Sequence, residues 1–162
     1  AGSDPFSPPD VEWRRVSPKL IVVRMIGSAI GYLIVAAIIT VVAYFVESRW
    51  VWAGLIAWVL LALSQLALTP RRIRSWGYAE RDEDLLIKHG LMYRKLVVVP
   101  YGRMQYVDVT AGPIDRALGL ATVQLHTASA GSDASIPGLP VAEASRLRDQ
   151  LAARGEARLA GL

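Results

Sequence analysis

The sequence contains no cysteine, so a disulfide framework, a zinc–thiolate centre and a thiol nucleophile are all excluded. Histidine is nearly as scarce: His89 and His126 stand far apart, and neither has a neighbouring nucleophile or carboxylate in the sequence. Glycine-rich phosphate loops and metal-ligand spacings are missing. Nothing supplies a general acid and base together with a nucleophile. No catalytic, cofactor-binding or metal residue is therefore assigned, no cofactor is expected, and the chain reads as non-enzymatic. Also missing is the interleaving of aromatic and basic residues that stacks unpaired bases. The sequence pI of about 9.7 reflects cations grouped around apolar runs, so no nucleic-acid partner is expected.

Charge is also missing, over two long stretches. Met25 to Val46 and Trp50 to Thr69 contain no charged residue, within a chain of 162 residues that is 53% hydrophobic. At about 1.5 Å rise per residue the two helices would be roughly 33 and 30 Å long, enough to cross a hydrocarbon core of about 30 Å. A soluble core helix of that length would keep a polar face. The first run is too long for a signal-peptide core and is read as retained. Residues 20–70 thus form a transmembrane hairpin. Residues 1–19 precede it, of which Ala1 to Phe6 lack an initiator Met and read as an expression scar.

Arg14, Arg15, Lys19 and Arg24 precede the first run, and Arg71, Arg72 and Arg74 follow the second, whereas the connection Glu47-Ser48-Arg49 carries one Arg. The positive-inside rule then puts both termini in the cytoplasm. Tyr44, Phe45, Trp50 and Trp52 at one end and Trp76 at the other mark the two interfaces. The expected location is a bacterial inner (plasma) membrane, crossed twice.

From Trp76 the hydrophobic period changes, and residues 76–162 read as a cytoplasmic α+β domain. Strands are expected near Trp76-Glu80, Leu85-Leu91, Lys95-Val99, Met104-Thr110, Ala121-Thr127 and Ser135-Pro137, with a small-residue loop over Ser129 to Asp133. In Ala121-Thr127 strict alternation puts Val123 and Leu125 inward and Thr122, Gln124 and His126 outward. Gly112 to Gly119 reads as a short helical turn. After Pro140, placed in a first helical turn, Ala144, Leu147 and Leu151 recur at helical spacing and form a stripe that closes the sheet.

Val98-Val99-Pro100-Tyr101-Gly102-Arg103-Met104-Gln105, then Val107-Asp108-Val109, then Gly112-Pro113-Ile114-Asp115-Arg116-Ala117-Leu118-Gly119-Leu120-Ala121-Thr122-Val123 resembles the bacterial pleckstrin-homology-like membrane proteins of the YdbS type. So does Trp13-Arg14-Arg15-Val16-Ser17-Pro18 ahead of two spans. The resemblance implies a bent antiparallel sheet closed by a C-terminal helix, and no particular activity. Phosphoinositide binders of the wider fold carry basic residues at the first strand–strand loop. The corresponding loop here is taken to be Glu80-Arg81-Asp82-Glu83-Asp84, whose carboxylates repel phosphate.

Arg71, Arg72, Arg74, Arg94 and Lys95 are the expected contacts with anionic headgroups, made without lipid specificity. Gly27 and Gly31 keep the first span slim for close helix packing, and Gln65 is expected to hydrogen-bond the first span. His126 is read as a surface residue and His89 as a turn residue. Asp108, Asp115 and Arg116 are expected to pair and pin the helical turn to the sheet. The resulting function is a membrane-anchored, non-enzymatic interaction module whose domain docks a protein partner or a second copy. The alternatives are an anionic-lipid-handling or lipid-sensing protein and an accessory subunit of a membrane enzyme or transporter. Because no native thiol competes, single cysteines replacing Ser48 and Ser132 will react with an impermeant maleimide from opposite sides of the membrane. Reaction of both from the same side would refute the hairpin.

Overall fold

The computed structural model describes residues 5–6, 8, 11–128 and 133–161. Residues 1–4 and, within the expected small-residue loop, Ser129 to Ser132 lie outside them.

Apolar side chains all round leave neither long helix a face to bury in water, and both form without a polar stripe. α1 covers Lys19–Val46 and α2 covers Arg49–Arg74. Only 6% and 0% of their most apolar windows are buried by protein, which a soluble core helix does not tolerate. Their surface belongs in lipid. Glu47, in the left-handed conformation, ends α1, and the Ser48 side chain accepts from the Trp50 amide to start α2. The helices meet through Tyr32 and Trp58, whose rings stand edge-to-face at 5.6 Å. The Trp58 indole also donates to the Tyr32 carbonyl at 3.2 Å.

The expected bond from Gln65 to the first span is not made. Its Oε1 accepts from Arg72 of the same helix at 2.7 Å, because the long Arg side chain reaches back two turns to the nearest amide in an apolar setting. Pro70 sits inside α2, and the neighbouring Thr69 hydroxyl bonds the Gln65 carbonyl at 3.1 Å.

The domain comprises two antiparallel sheets. β1 (Arg14–Arg15), β2 (Gly77–Glu80), β3 (Asp84–His89) and β4 (Lys95–Pro100) form one in that order. β5 (Met104–Thr110), β6 (Leu120–Thr127) and β7 (Ala134–Pro140) form the other. A 3₁₀ turn, Tyr101–Arg103, joins them, and α3 (Pro113–Leu118) and α4 (Val141–Leu159) complete the chain.

Most strands fall where alternation places them. β3 ends at His89 rather than Leu91 because Gly90 adopts φ +117, where a Cβ would overlap the Tyr93 carbonyl. β7 is longer than expected and takes in Pro140, whose extended backbone (ψ 144) keeps it out of the helix.

β1 has no counterpart among the expected strands. Arg14 pairs with Tyr78 and Arg15 with Gly77, so the whole transmembrane hairpin is inserted between two neighbouring strands. The same segment crosses to the second sheet, where the Ser17 amide donates to the Gly138 carbonyl at 2.8 Å. Val16, Leu20 and Ile73 are buried in the common core with Leu85, Val123, Leu125, Leu139, Ala144, Leu147 and Leu151. Each fully buried aliphatic side chain contributes roughly 1.5–3 kcal/mol. Gly138, at φ +70, has no Cβ because one would stand 2.6 Å from Leu20.

Glu143, in the first turn of α4, ties the parts together. Its carboxylate accepts from the Tyr78 hydroxyl at 3.0 Å and from Arg146 at 2.6 Å, and it pairs with Arg14 at 3.3 Å. Chiefly through the Arg146 hydrogen bond, opposed by partial burial and aided by Tyr78, its pKa falls from 4.5 to about 2. The folded state therefore prefers the carboxylate. That contribution is complete above pH 4.5 and is lost as pH falls through about 2. Denaturant midpoints for the parent will decline across that window, and Glu143→Gln will lower the midpoint at neutral pH and flatten the decline. Parallel acid profiles for parent and variant would refute the assignment.

Candidate membrane-surface site

β2 leaves the end of α2 almost at once, and β3 runs back antiparallel to it, so the β3–β4 turn returns to the helix end. The Gly90 amide donates to the Ser75 hydroxyl there at 3.1 Å. Between the turn, β1 and the end of α2 lies a half-open cleft of about 570 Å³. Arg14, Arg15, Arg74, Lys88, Arg94 and Lys95 line it, with Trp13, Trp76 and His89.

Two ring contacts organise the cleft. The Lys88 ammonium stands 4.3 Å from the Trp13 ring centroid, and Trp76 stacks on His89 at 4.4 Å with planes 14° apart. Burial, and secondarily the charge of Lys95, lower the His89 pKa from its ordinary value. Its imidazole is thereby kept neutral in a basic surrounding. His89 is thus a strand residue packed on a ring, not a turn residue.

Of the five expected headgroup contacts, Arg74, Arg94 and Lys95 line the cleft, whereas Arg71 and Arg72 do not. Arg72 is held by Gln65. Arg14, Arg15 and Lys88 were not expected as headgroup contacts. Trp13-Arg14-Arg15 was visible as a basic approach to the span, but a two-residue strand has no period to reveal it. Beyond the cleft the turn carries an apolar tip: Met92 is 89% and Tyr93 90% exposed.

A second cavity of about 590 Å³ adjoins this one. Val16, Pro18, Ile21, Ile73 and Pro140 make it largely apolar, with Ser17, and it shares Arg15 and Arg74 with the basic cleft.

The acidic loop lies at the opposite end of the first sheet and is not the sheet's first connection. That place belongs to the hairpin, so the loop's repulsion of phosphate does not bear on the cleft. Its groups are engaged with α4: Glu80 with Arg146 at 3.3 Å, Glu83 with Arg158 at 3.5 Å, and the Arg81 carbonyl with Arg154 at 3.0 Å. Arg81 itself pairs with Asp84.

His126 departs from the plain surface reading. It stacks on Tyr106 at 4.2 Å and lies 3.1 Å from Asp108 and 3.5 Å from Asp133. Asp108 is thereby committed to His126, so the expected pairing with Asp115 and Arg116 is replaced. The Asp115 side chain instead accepts from the Gly112 amide at 3.4 Å and caps α3. Among the described residues no group of three His, Asp or Glu side chains converges to hold a metal.

Gly27 and Gly31 are both exposed, with nothing within 4 Å of a Cβ built on either. The slim face of α1 therefore points away from α2, and the packing within the chain is made elsewhere.

The family described as "Bacterial PH domain" matches residues 21–155, a stretch that includes both spans and most of the domain. The chain is similar to the "UPF0699 transmembrane protein YdbS" of Bacillus subtilis (strain 168), at 35% identity over 130 residues, covering 79% of this chain and 80% of that protein. No solved structure matches the chain.

The depressed His89 pKa gives a measurable signature. In an NMR titration His89 will titrate below the ordinary 6.5, and Lys95→Gln will move it upward by removing a repelling charge. A midpoint unmoved by Lys95→Gln would show that Lys95 does not act on the ring.

Proposed function

This chain belongs to the bacterial PH domain family, and we propose that it is a membrane-anchored, non-catalytic module whose domain docks on the cytoplasmic leaflet and engages anionic lipid headgroups there. The reading rests on one observation, the gathering of Arg14, Arg15, Arg74, Lys88, Arg94 and Lys95 around one cleft at the end of the spans. Each Lys or Arg near an anionic surface contributes about 1 kcal/mol, and the effect decays within a Debye length of about 8 Å at physiological salt. The hairpin holds the cleft at that depth permanently. The exposed Met92 and Tyr93 tip extends the same face with side chains that favour the interface.

Docking of a protein partner or a second copy is a separate role, supported by the outward face of α1 at Gly27 and Gly31. That face permits close approach of another helix in the bilayer. It leaves the headgroup cleft unobstructed, so the two roles are compatible.

The leaflet-docked orientation can be measured with a polarity-sensitive fluorophore on a single cysteine. In nanodiscs containing anionic lipid, the probe at Met92→Cys will be quenched by lipids bearing a shallow doxyl group. The same probe at Asp82→Cys, an exposed position in the turn at the far end of the sheet, will not. Replacing anionic by zwitterionic lipid will weaken quenching at Met92. Equal quenching at both positions, or none at Met92, would overturn the proposal.

A further inference from the structure

The basic cleft and the apolar cavity beside it are of similar size, about 570 and 590 Å³, each within the range that holds a small ligand. Their linings differ in kind, cations and rings on one side, aliphatic side chains on the other. They have Arg15 and Arg74 in common. The arrangement matches an amphiphile whose charged centre lies between a polar end and an apolar one.

We infer that each chain holds one anionic glycerophospholipid of its own leaflet, with the phosphate between Arg15 and Arg74, the headgroup in the basic cleft and one acyl chain in the apolar cavity. This deepens the leaflet-docked reading and rests on it. Both arginines are held in place by the backbone, Arg15 through strand pairing with Gly77 and Arg74 in the last turn of α2. The backbone thus sets where each long side chain starts, and a guanidinium offers phosphate paired donors in a bidentate manner that an ammonium cannot copy. Arg14, by contrast, is engaged by Glu143 and serves the fold.

The apolar cavity supplies the direction. Ile21 and Ile73 lie on α1 and α2, close to where those helices become continuously apolar. An acyl chain seated against them is directed towards the bilayer, about one helical turn from each apolar run. A free phosphate or a detached headgroup has no use for that cavity, and a zwitterionic lipid places an ammonium among the cations of the cleft.

Native mass spectrometry of the full chain in detergent tests the inference. The probes are phosphatidylglycerol, phosphatidylcholine of the same acyl composition, and glycerol phosphate as the detached headgroup. One phosphatidylglycerol per chain will be retained, phosphatidylcholine will bind more weakly, and glycerol phosphate will not be retained. Arg15→Gln with Arg74→Gln will lower phosphatidylglycerol affinity by about thirtyfold. Arg71→Gln with Arg72→Gln, which removes the same charge outside both cavities, will leave it unchanged.

Equal losses in the two double variants would show diffuse attraction and overturn the site. Retention of glycerol phosphate as tight as the lipid would overturn the acyl-chain assignment. If the Arg15 and Arg74 variant fails to fold, the comparison of the three probes on the unaltered chain still decides. Should no lipid be retained while the Met92 probe remains quenched in nanodiscs, the leaflet-docked reading stands and the bound lipid does not.

Discussion

Two residues of strand pairing determine where the membrane anchor meets the domain. Arg15 lies opposite Gly77, and neighbouring strands are about 4.8 Å apart, so the chain must leave the sheet, cross the membrane twice and return one strand away. The start of α1 and the end of α2 are thereby brought together, and Leu20 and Ile73 are drawn into the core. The basic cleft and the apolar cavity both open along that seam. Without the pairing, the two spans would join the domain by a simple linker, and neither cavity would have its Arg15 wall.

Charge is sorted along the domain to suit this arrangement. Six cations collect at the membrane end, while the carboxylates of the β2–β3 turn bind the arginines of α4 at the other. These are mostly exposed pairs, each worth about 0–1 kcal/mol. Their main effect is to keep these acidic groups at the end of the sheet away from the basic cleft. Glu143 is the exception: it stands near the seam and joins β1, β2 and α4 through Arg14, Tyr78 and Arg146.

Features with a repeat were legible in the sequence. The spans show as unbroken apolar runs, Val123 and Leu125 as period-two alternation, and Ala144, Leu147 and Leu151 as a helical stripe, all three of which are fully buried. What was not legible depends on partners distant in sequence. β1 is too short to have a period, and its partner lies beyond the hairpin. For His126, alternation gave the outward direction but not the neighbours, since Tyr106 stands directly opposite and Asp108 lies diagonally across the register. Polarity inside a span does not reveal the partner of Gln65, because Arg72, seven residues on along the same helix, reaches back to its amide. Of the cations that line the cleft, Arg74, Arg94 and Lys95 are legible as charges at a helix end and a turn, whereas the approach of Arg14, Arg15 and Lys88 to them depends on the β1–β2 and β2–β3 pairings.

The insertion of the hairpin between adjacent strands also makes the domain a reporter of how the chain was threaded. A ribosome releases Arg14 and Arg15 before either span and Gly77 after both, so the sheet closes only if an even number of crossings has returned the chain to its starting side. A chain threaded once would leave β1 and Leu20 across the bilayer from β2 and Gly138, with a core lacking several apolar residues and no route to recover them. Misinserted copies would thus fail to mature and remain visible to quality-control proteases, with no separate signal needed to mark them.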